Sequence, residues 1–192
     1  MQEVFVNALY HDEPVVLRRR LLPLSLGHIY ILLAVDSPYV LGGECSLFDL
    51  AFAVGVCTRT WEAGQEWLRS PRVFKDAEKW GGKCRGMDME AENKTFAAYM
   101  DDYTKMPERW EPKSDGKGSN SAQNPWPLII ATKLKDSVGE SRAWNMSLPM
   151  ALAYWSADAE LMGDKSLVSD ADYEAIKQLE AEAAERKQEK VA

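Results

Sequence analysis

The chain has 192 residues, of which 46% are hydrophobic and 28% charged, with a formal net charge of -7 and a mean hydropathy of -0.36. These values exclude extended disorder and collagen, and a chain this long can bury a sizeable core as one domain plus an appendage. The acidic balance argues against nucleic acid as a partner, because phosphate binding needs concentrated cations and the dense basic run is Arg18-Arg19-Arg20 alone. Protein partners or small molecules are the classes that remain.

Cys45, Cys57 and Cys84 are odd in number and lack CxxC spacing, so neither a disulfide framework nor a zinc site is expected, and a reducing cytosol fits. The opening Met1-Gln2-Glu3-Val4 carries no basic stretch followed by an apolar one, so no signal peptide is expected there. Leu21 to Val35 contains no Asp, Glu, Lys or Arg, yet it is shorter than the roughly 20 apolar residues a membrane span needs and includes Pro23, Gly27 and His28. A buried core helix is predicted in its place.

In chain order, Val4 and Val6, the turn-forming His11-Asp12-Glu13-Pro14 and then Val15-Val16-Leu17 predict an extended arm or hairpin over residues 1–22. Ser25 caps a helix that runs to about Val35 and stops at Asp36-Ser37-Pro38. Ser46 with Asp49 three residues on forms a capping box, and the helix it opens is apolar on two faces, one with Leu47, Leu50, Ala51, Val54 and Cys57, the other with Phe48, Phe52 and Val56. That helix belongs at the centre of the core. Thr60–Leu68 and Pro71–Trp80 read as short helices, the second closed by Gly81-Gly82, and Asp88–Lys105 as a longer amphipathic one.

Between Pro107 and Pro125 three prolines, Gly116, Gly118 and Ser119-Asn120-Ser121 predict a mobile surface loop. Its Gly116-Lys117-Gly118-Ser119 lacks the spacing of a phosphate-binding loop. Trp126, Ile130, Leu134 and Val138 then form an i, i+4 stripe ending at Gly139. Ser147 caps a further helix whose face is Leu148, Ala151, Leu152, Trp155, Ala159 and Met162. From Ser169 a narrow stripe of Tyr173, Ile176, Leu179 and Ala183 leads into a tract of Ala, Glu, Lys, Arg and Gln that favours helix but has little to bury. The predicted class is all-α, an irregular helical bundle of about seven to eight helices with a short extended or hairpin N-terminal arm. Residues 23–165 form its core domain, carrying the 107–125 loop, and 166–192 a projecting acidic helix.

Chemistry is sparse by comparison. With only His11 and His28, no metal-binding spacing is present and no metal or other cofactor is expected. A dyad of Cys57 with His28 would require their helices to meet, whereas the apolar surroundings of Cys57 predict a packed thiol. The carboxylates are interleaved with bases, as Glu182 with Arg186, in the manner of a solvated face. Trp61, Trp67, Trp80 and Trp155 are assigned to the core. Trp110 and Trp126 flank the 107–125 loop, where burial explains a large ring poorly, so they are candidate protein-binding residues together with Tyr173, Ile176 and Leu179 of the last helix.

The segments Arg19-Arg20, Leu22-Pro23-Leu24-Ser25-Leu26-Gly27-His28, Ser37-Pro38-Tyr39, Gly42-Gly43 and Ser46 through Leu50 resemble small proteins of bacteriophage and prophage tail-gene regions, the tail assembly chaperones. A second block, Ser147-Leu148-Pro149 through Ala153 with Trp155, Glu160 and Gly163, is similar to their C-terminal helix. Together the blocks cover less than half of the chain. The resemblance implies a non-enzymatic protein of the bacterial host cytoplasm that shields helical segments of the phage tape measure protein, with tail-tube subunits as possible further partners. Neither nucleic acid nor membrane is a partner in that reading, and a homo-oligomer is compatible with it. The alternative is a virion structural component, such as a head-to-tail connector or completion protein.

Overall fold

The structure is a computed structural model that describes residues 13–104 and 124–161, the side chains of Ala159 and Glu160 excepted. By backbone contacts the chain falls into two units, Met1–Met106 with Ala122–Trp155, and Pro107–Ser121 with Ser156–Ala192. All elements below lie in the first unit, apart from the last residues of the final helix.

Strands β1 (Val15–Val16) and β2 (Arg19–Arg20) pair antiparallel, Val15 opposite Arg20 and Val16 opposite Arg19, in a short N-terminal hairpin whose turn is Leu17-Arg18 and not the expected His11–Pro14 stretch; residues 1–12 of the expected arm lie outside the described residues. Both turn residues, Leu17 and Arg18, have positive φ (48° and 63°), a conformation usually left to Asn or Gly in two-residue hairpins. Tertiary contacts offset that strain: the Leu17 side chain is fully buried and its N–H donates to the Glu92 carboxylate at 2.6 Å. The segment after the hairpin is extended and largely buried, so its backbone groups need partners. Three elements supply them. Leu22 N–H donates to the Cys57 carbonyl (2.9 Å), Tyr99 hydroxyl to the Leu22 carbonyl (2.8 Å), and Leu148 N–H to the Leu24 carbonyl (2.6 Å).

Nine helices follow among the described residues, and the fold is an all-α irregular bundle. They are α1 (Leu26–Ala34), α2 (Pro38–Leu41), α3 (Leu47–Cys57), α4 (Trp61–Arg69), α5 (Val73–Lys83), α6 (Met89–Thr104), α7 (Trp126–Val138), α8 (Glu140–Asn145) and α9 (Leu148–Leu161). The central helices are α1 and α3. Every residue of α3 from Leu50 to Cys57 is buried, as its two apolar faces require, and α2, α3, α7 and α8 all pack on α1. At the start of α3 the Asp49 carboxylate accepts from the Ser46 N–H (2.9 Å) while Asp49 N–H donates to Ser46 Oγ (3.2 Å), a reciprocal cap worth about 1 kcal/mol.

One expected boundary is displaced. Gly81-Gly82 does not close α5, which continues to Lys83, because Gly81 serves packing: a Cβ there would lie 3.3 Å from the Ala51 side chain and 3.5 Å from that of Leu47. Gly27 in α1 is more tightly confined, since a Cβ would sit 2.7 Å from the Trp61 ring and 3.1 Å from the Trp144 carbonyl. Trp61 cannot retreat easily, being stacked on Trp144 at 4.4 Å between centroids. Gly27→Ala is therefore expected to cost about 1–3 kcal/mol in urea unfolding, the usual penalty of overpacking; an unchanged midpoint would contradict the close approach.

Candidate functional site

His28 and Cys57, the dyad considered from the sequence, are both engaged in structure. His28 occupies the N3 position of α1, where its Nδ1 accepts from the Ser25 N–H (3.1 Å) while its own N–H donates to Ser25 Oγ (3.3 Å). With Nδ1 accepting, Nε2 carries the proton and donates to the Arg59 carbonyl at 2.7 Å. Both ring nitrogens are used, and burial lowers the pKa below the usual histidine value. Cys57 is packed beside the Tyr99 hydroxyl rather than paired with His28, and burial pushes its thiol up to about 12, which keeps it protonated. Among the described residues no three His, Cys, Asp or Glu side chains gather as a metal-binding group.

Among the described residues, a depression of about 320 Å³ bordered by Arg142, Asn145, Met150 and Tyr154 lies beside α8 and the start of α9, and two further surface features are candidates. A depression of about 750 Å³ lies between α2 and α6, bordered by Pro38, Tyr39, Cys45, Asn93, Lys94 and Met100. It is wide and shallow, and within it the Tyr39 hydroxyl donates to Asn93 Oδ1, a bond that ties the two helices together. The second feature is aromatic. On the outer side of α3 and α5, Phe48 is 36% and Phe74 57% exposed, and both stand over the buried Phe52. Phe74 stacks on Phe52 at 5.7 Å between centroids with planes 18° apart, Phe48 approaches Phe74 at 6.3 Å, and Trp67 of α4 continues the row 5.2 Å from Phe52. A notch of about 50 Å³ opens among Val35, Ser37, Phe48, Asp49, Phe52 and Phe74, enough for a small side chain and far below the volume of a small-molecule pocket. Packed, partly exposed rings beside a notch have the make-up of a protein-docking surface.

Of the candidate binding residues read from the sequence, Trp126 opens α7 and is 41% exposed. Trp110, Tyr173, Ile176 and Leu179 lie outside the described residues, as do the 107–123 part of the expected loop and everything after Leu161. Of the tryptophans assigned to the core, Trp61 is buried, whereas Trp67, Trp80 and Trp155 are half-buried. The sequence reading placed Phe48 on a core face. The structure instead puts it at the rim: Phe48 lies in the first turn of α3 and is 36% exposed, whereas Phe52 and Val56 further along the same face are buried. Periodicity marks that residue as apolar but does not say how far along the helix its face stays covered.

No helix among the described residues is long and apolar enough to cross a membrane. Comparison with protein families, with curated proteins and with solved structures gives no match.

Proposed function

We propose that the protein is a non-enzymatic tail assembly chaperone of a bacteriophage or prophage, acting in the bacterial host cytoplasm, that binds and shields helical segments of the tape measure protein until tail-tube subunits polymerise around them. The observation that carries this reading is the exposed pair Phe48 and Phe74 on buried Phe52, a row that half-buried Trp67 continues. Such a row suits the apolar stripe of an amphipathic helix, and the notch beside it suits one anchoring side chain. Affinity then comes from apolar burial and solubility of the complex from the net charge of -7. Reversible shielding asks for no bond making or breaking.

The test is recovery from producing cells. A tagged chain is expected to co-purify with the tape measure product and to be missing from purified virions. Phe74→Glu, which leaves the core intact, is expected to lower that recovery by about tenfold, as loss of a central aromatic contact does. Stoichiometric copies in mature particles would overturn the proposal and support the connector or completion-protein reading.

A further inference from the structure

The notch beside Phe48 and Phe74 is not wholly apolar, because Ser37 and Asp49 also border it. Ser37 is 5% exposed, and its backbone is satisfied: the N–H donates to the Leu32 carbonyl at 2.9 Å, and the carbonyl accepts from the N–H groups of Val40 and Leu41 in α2. Its hydroxyl is different. It does not cap α2 and has no partner among the described residues. A buried hydroxyl in that state is costly, which marks the notch as a place where an incoming polar group is expected.

Asp49 is half-buried at the same notch. The bonds it accepts from Ser46, one from the N–H at 2.9 Å and one from the hydroxyl at 2.6 Å, both fall on Oδ2, so Oδ1 accepts from no group among the described residues. Glu78 stands one helical turn beyond Phe74 on α5 and is exposed. Among the described residues neither carboxylate has a cation within ion-pair distance, and the pair that does form is Arg20 with Glu13 at 3.4 Å. Ring faces hold cations elsewhere in the fold, Arg59 over Trp67 at 4.3 Å and Arg19 over Trp80 at 3.9 Å from the centroids, whereas Phe48 and Phe74 hold none among the described residues.

We infer that the notch is the receptor for one lysine of the docked protein, whose ammonium is taken by Asp49 and Ser37 and whose aliphatic stem lies on Phe48 and Phe74. An ammonium is a compact charge that donates three hydrogen bonds. Here it meets a carboxylate oxygen, a hydroxyl that can accept, and aromatic rings that favour a cation. The four-carbon stem covers the rings in the way long side chains bury their stems while the head finds polar partners. A notch of about 50 Å³ suits such a head better than the wider, planar guanidinium. A carboxylate in the same place would be repelled by Asp49 and Glu78. The inference rests on the reading of Phe48 and Phe74 as a protein-docking surface and names the residue that anchors the partner there.

The experiment is fluorescence anisotropy with the full chain and labelled synthetic helices that share one leucine stripe and differ at a single central stripe position, Lys, Gln, Arg or Glu. The Lys helix is expected to bind about tenfold tighter than the Gln helix, as a charge-assisted bond does, with the Arg helix between them and the Glu helix weakest. Ser37→Ala removes the hydroxyl without removing a cap, so the urea midpoint is expected not to fall, while the Lys helix loses about threefold and the Gln helix nothing. Asp49→Asn keeps an acceptor for the Ser46 N–H and is expected to bring the Lys helix down to the Gln value. Phe74→Ser is expected to weaken every helix. Equal binding of the Lys and Gln helices, or a Lys advantage that survives both notch variants, would overturn the inference while leaving an apolar docking surface intact. An Arg helix that binds as tightly as the Lys helix would replace the lysine receptor by unselective attraction of cations. Absence of binding by every helix would remove the docking surface itself and the inference with it. Failure of the tape measure product to co-purify would remove the chaperone reading without touching these affinities.

Discussion

Phe96→Ala is expected to destabilise the protein by about 3–5 kcal/mol, the range for truncating a fully buried phenylalanine. Phe96 is inaccessible to solvent in the middle of α6, with Tyr39 edge-on at 4.6 Å and Tyr99 at 5.6 Å. Its neighbours cannot close the gap freely, because each is tethered by its hydroxyl. Tyr39 is bonded to Asn93, and Tyr99 donates to the Leu22 carbonyl. The vacated volume should thus persist as a cavity. Thermal unfolding would show a midpoint lowered by about 10 °C or more for a domain of this size. A loss below about 1 kcal/mol would mean that α6 is not seated on the core as described.

His28→Leu is expected to cost about 2–4 kcal/mol at neutral pH, although it matches the apolar surroundings, because two buried backbone groups lose their partners. These are the Ser25 N–H at the N-cap of α1 and the Arg59 carbonyl just after α3. The same residue sets an acid dependence. Burial holds its folded pKa below the ordinary value of 6.5, so as pH falls past 6.5 the unfolded chain takes up a proton that the folded one refuses. Stability then declines by up to about 1.4 kcal/mol per pH unit until the lowered folded pKa is reached, while above pH 6.5 this contribution is fully present. Chemical denaturation between about pH 7.5 and 5 should show the gap between wild type and His28→Leu narrowing with acid. A constant gap would mean that burial does not lower the folded pKa of His28.

Much of the fold is legible in the sequence because local signals and tertiary contacts agree. Ser25, Ser46 and Thr60 each cap the helix that follows, and Ser37-Pro38 and Ser70-Pro71 divide helices where proline restricts the preceding backbone. Disagreement arises where a residue serves a distant neighbour. Gly81 reads locally as a stop, yet it is there to admit Ala51 and Leu47. Leu17 and Arg18 have no turn signature, and the turn is held through Leu17 N–H by Glu92, 75 residues away. The candidate surface is less legible for the same reason. Arg19 meets Trp80 and Phe48 meets Phe74 only after folding, so the triplet Arg18-Arg19-Arg20 reads as an isolated basic run.

The backbone stitch through Leu22 and Leu24 has a consequence for the order in which the chain can become native. Leu24 receives its hydrogen bond from Leu148, and Ser25 pairs as a β-bridge with Ser147, so the start of α1 is completed by residues more than a hundred positions downstream. While a ribosome is still making the first hundred residues, α1 has neither Trp144 beside Tyr30 nor α9 against its first turn. Closure over so long a separation is entropically slow. The nascent chain therefore passes through a stage in which its most apolar helices are made and uncovered, and its final consolidation is an event of late translation.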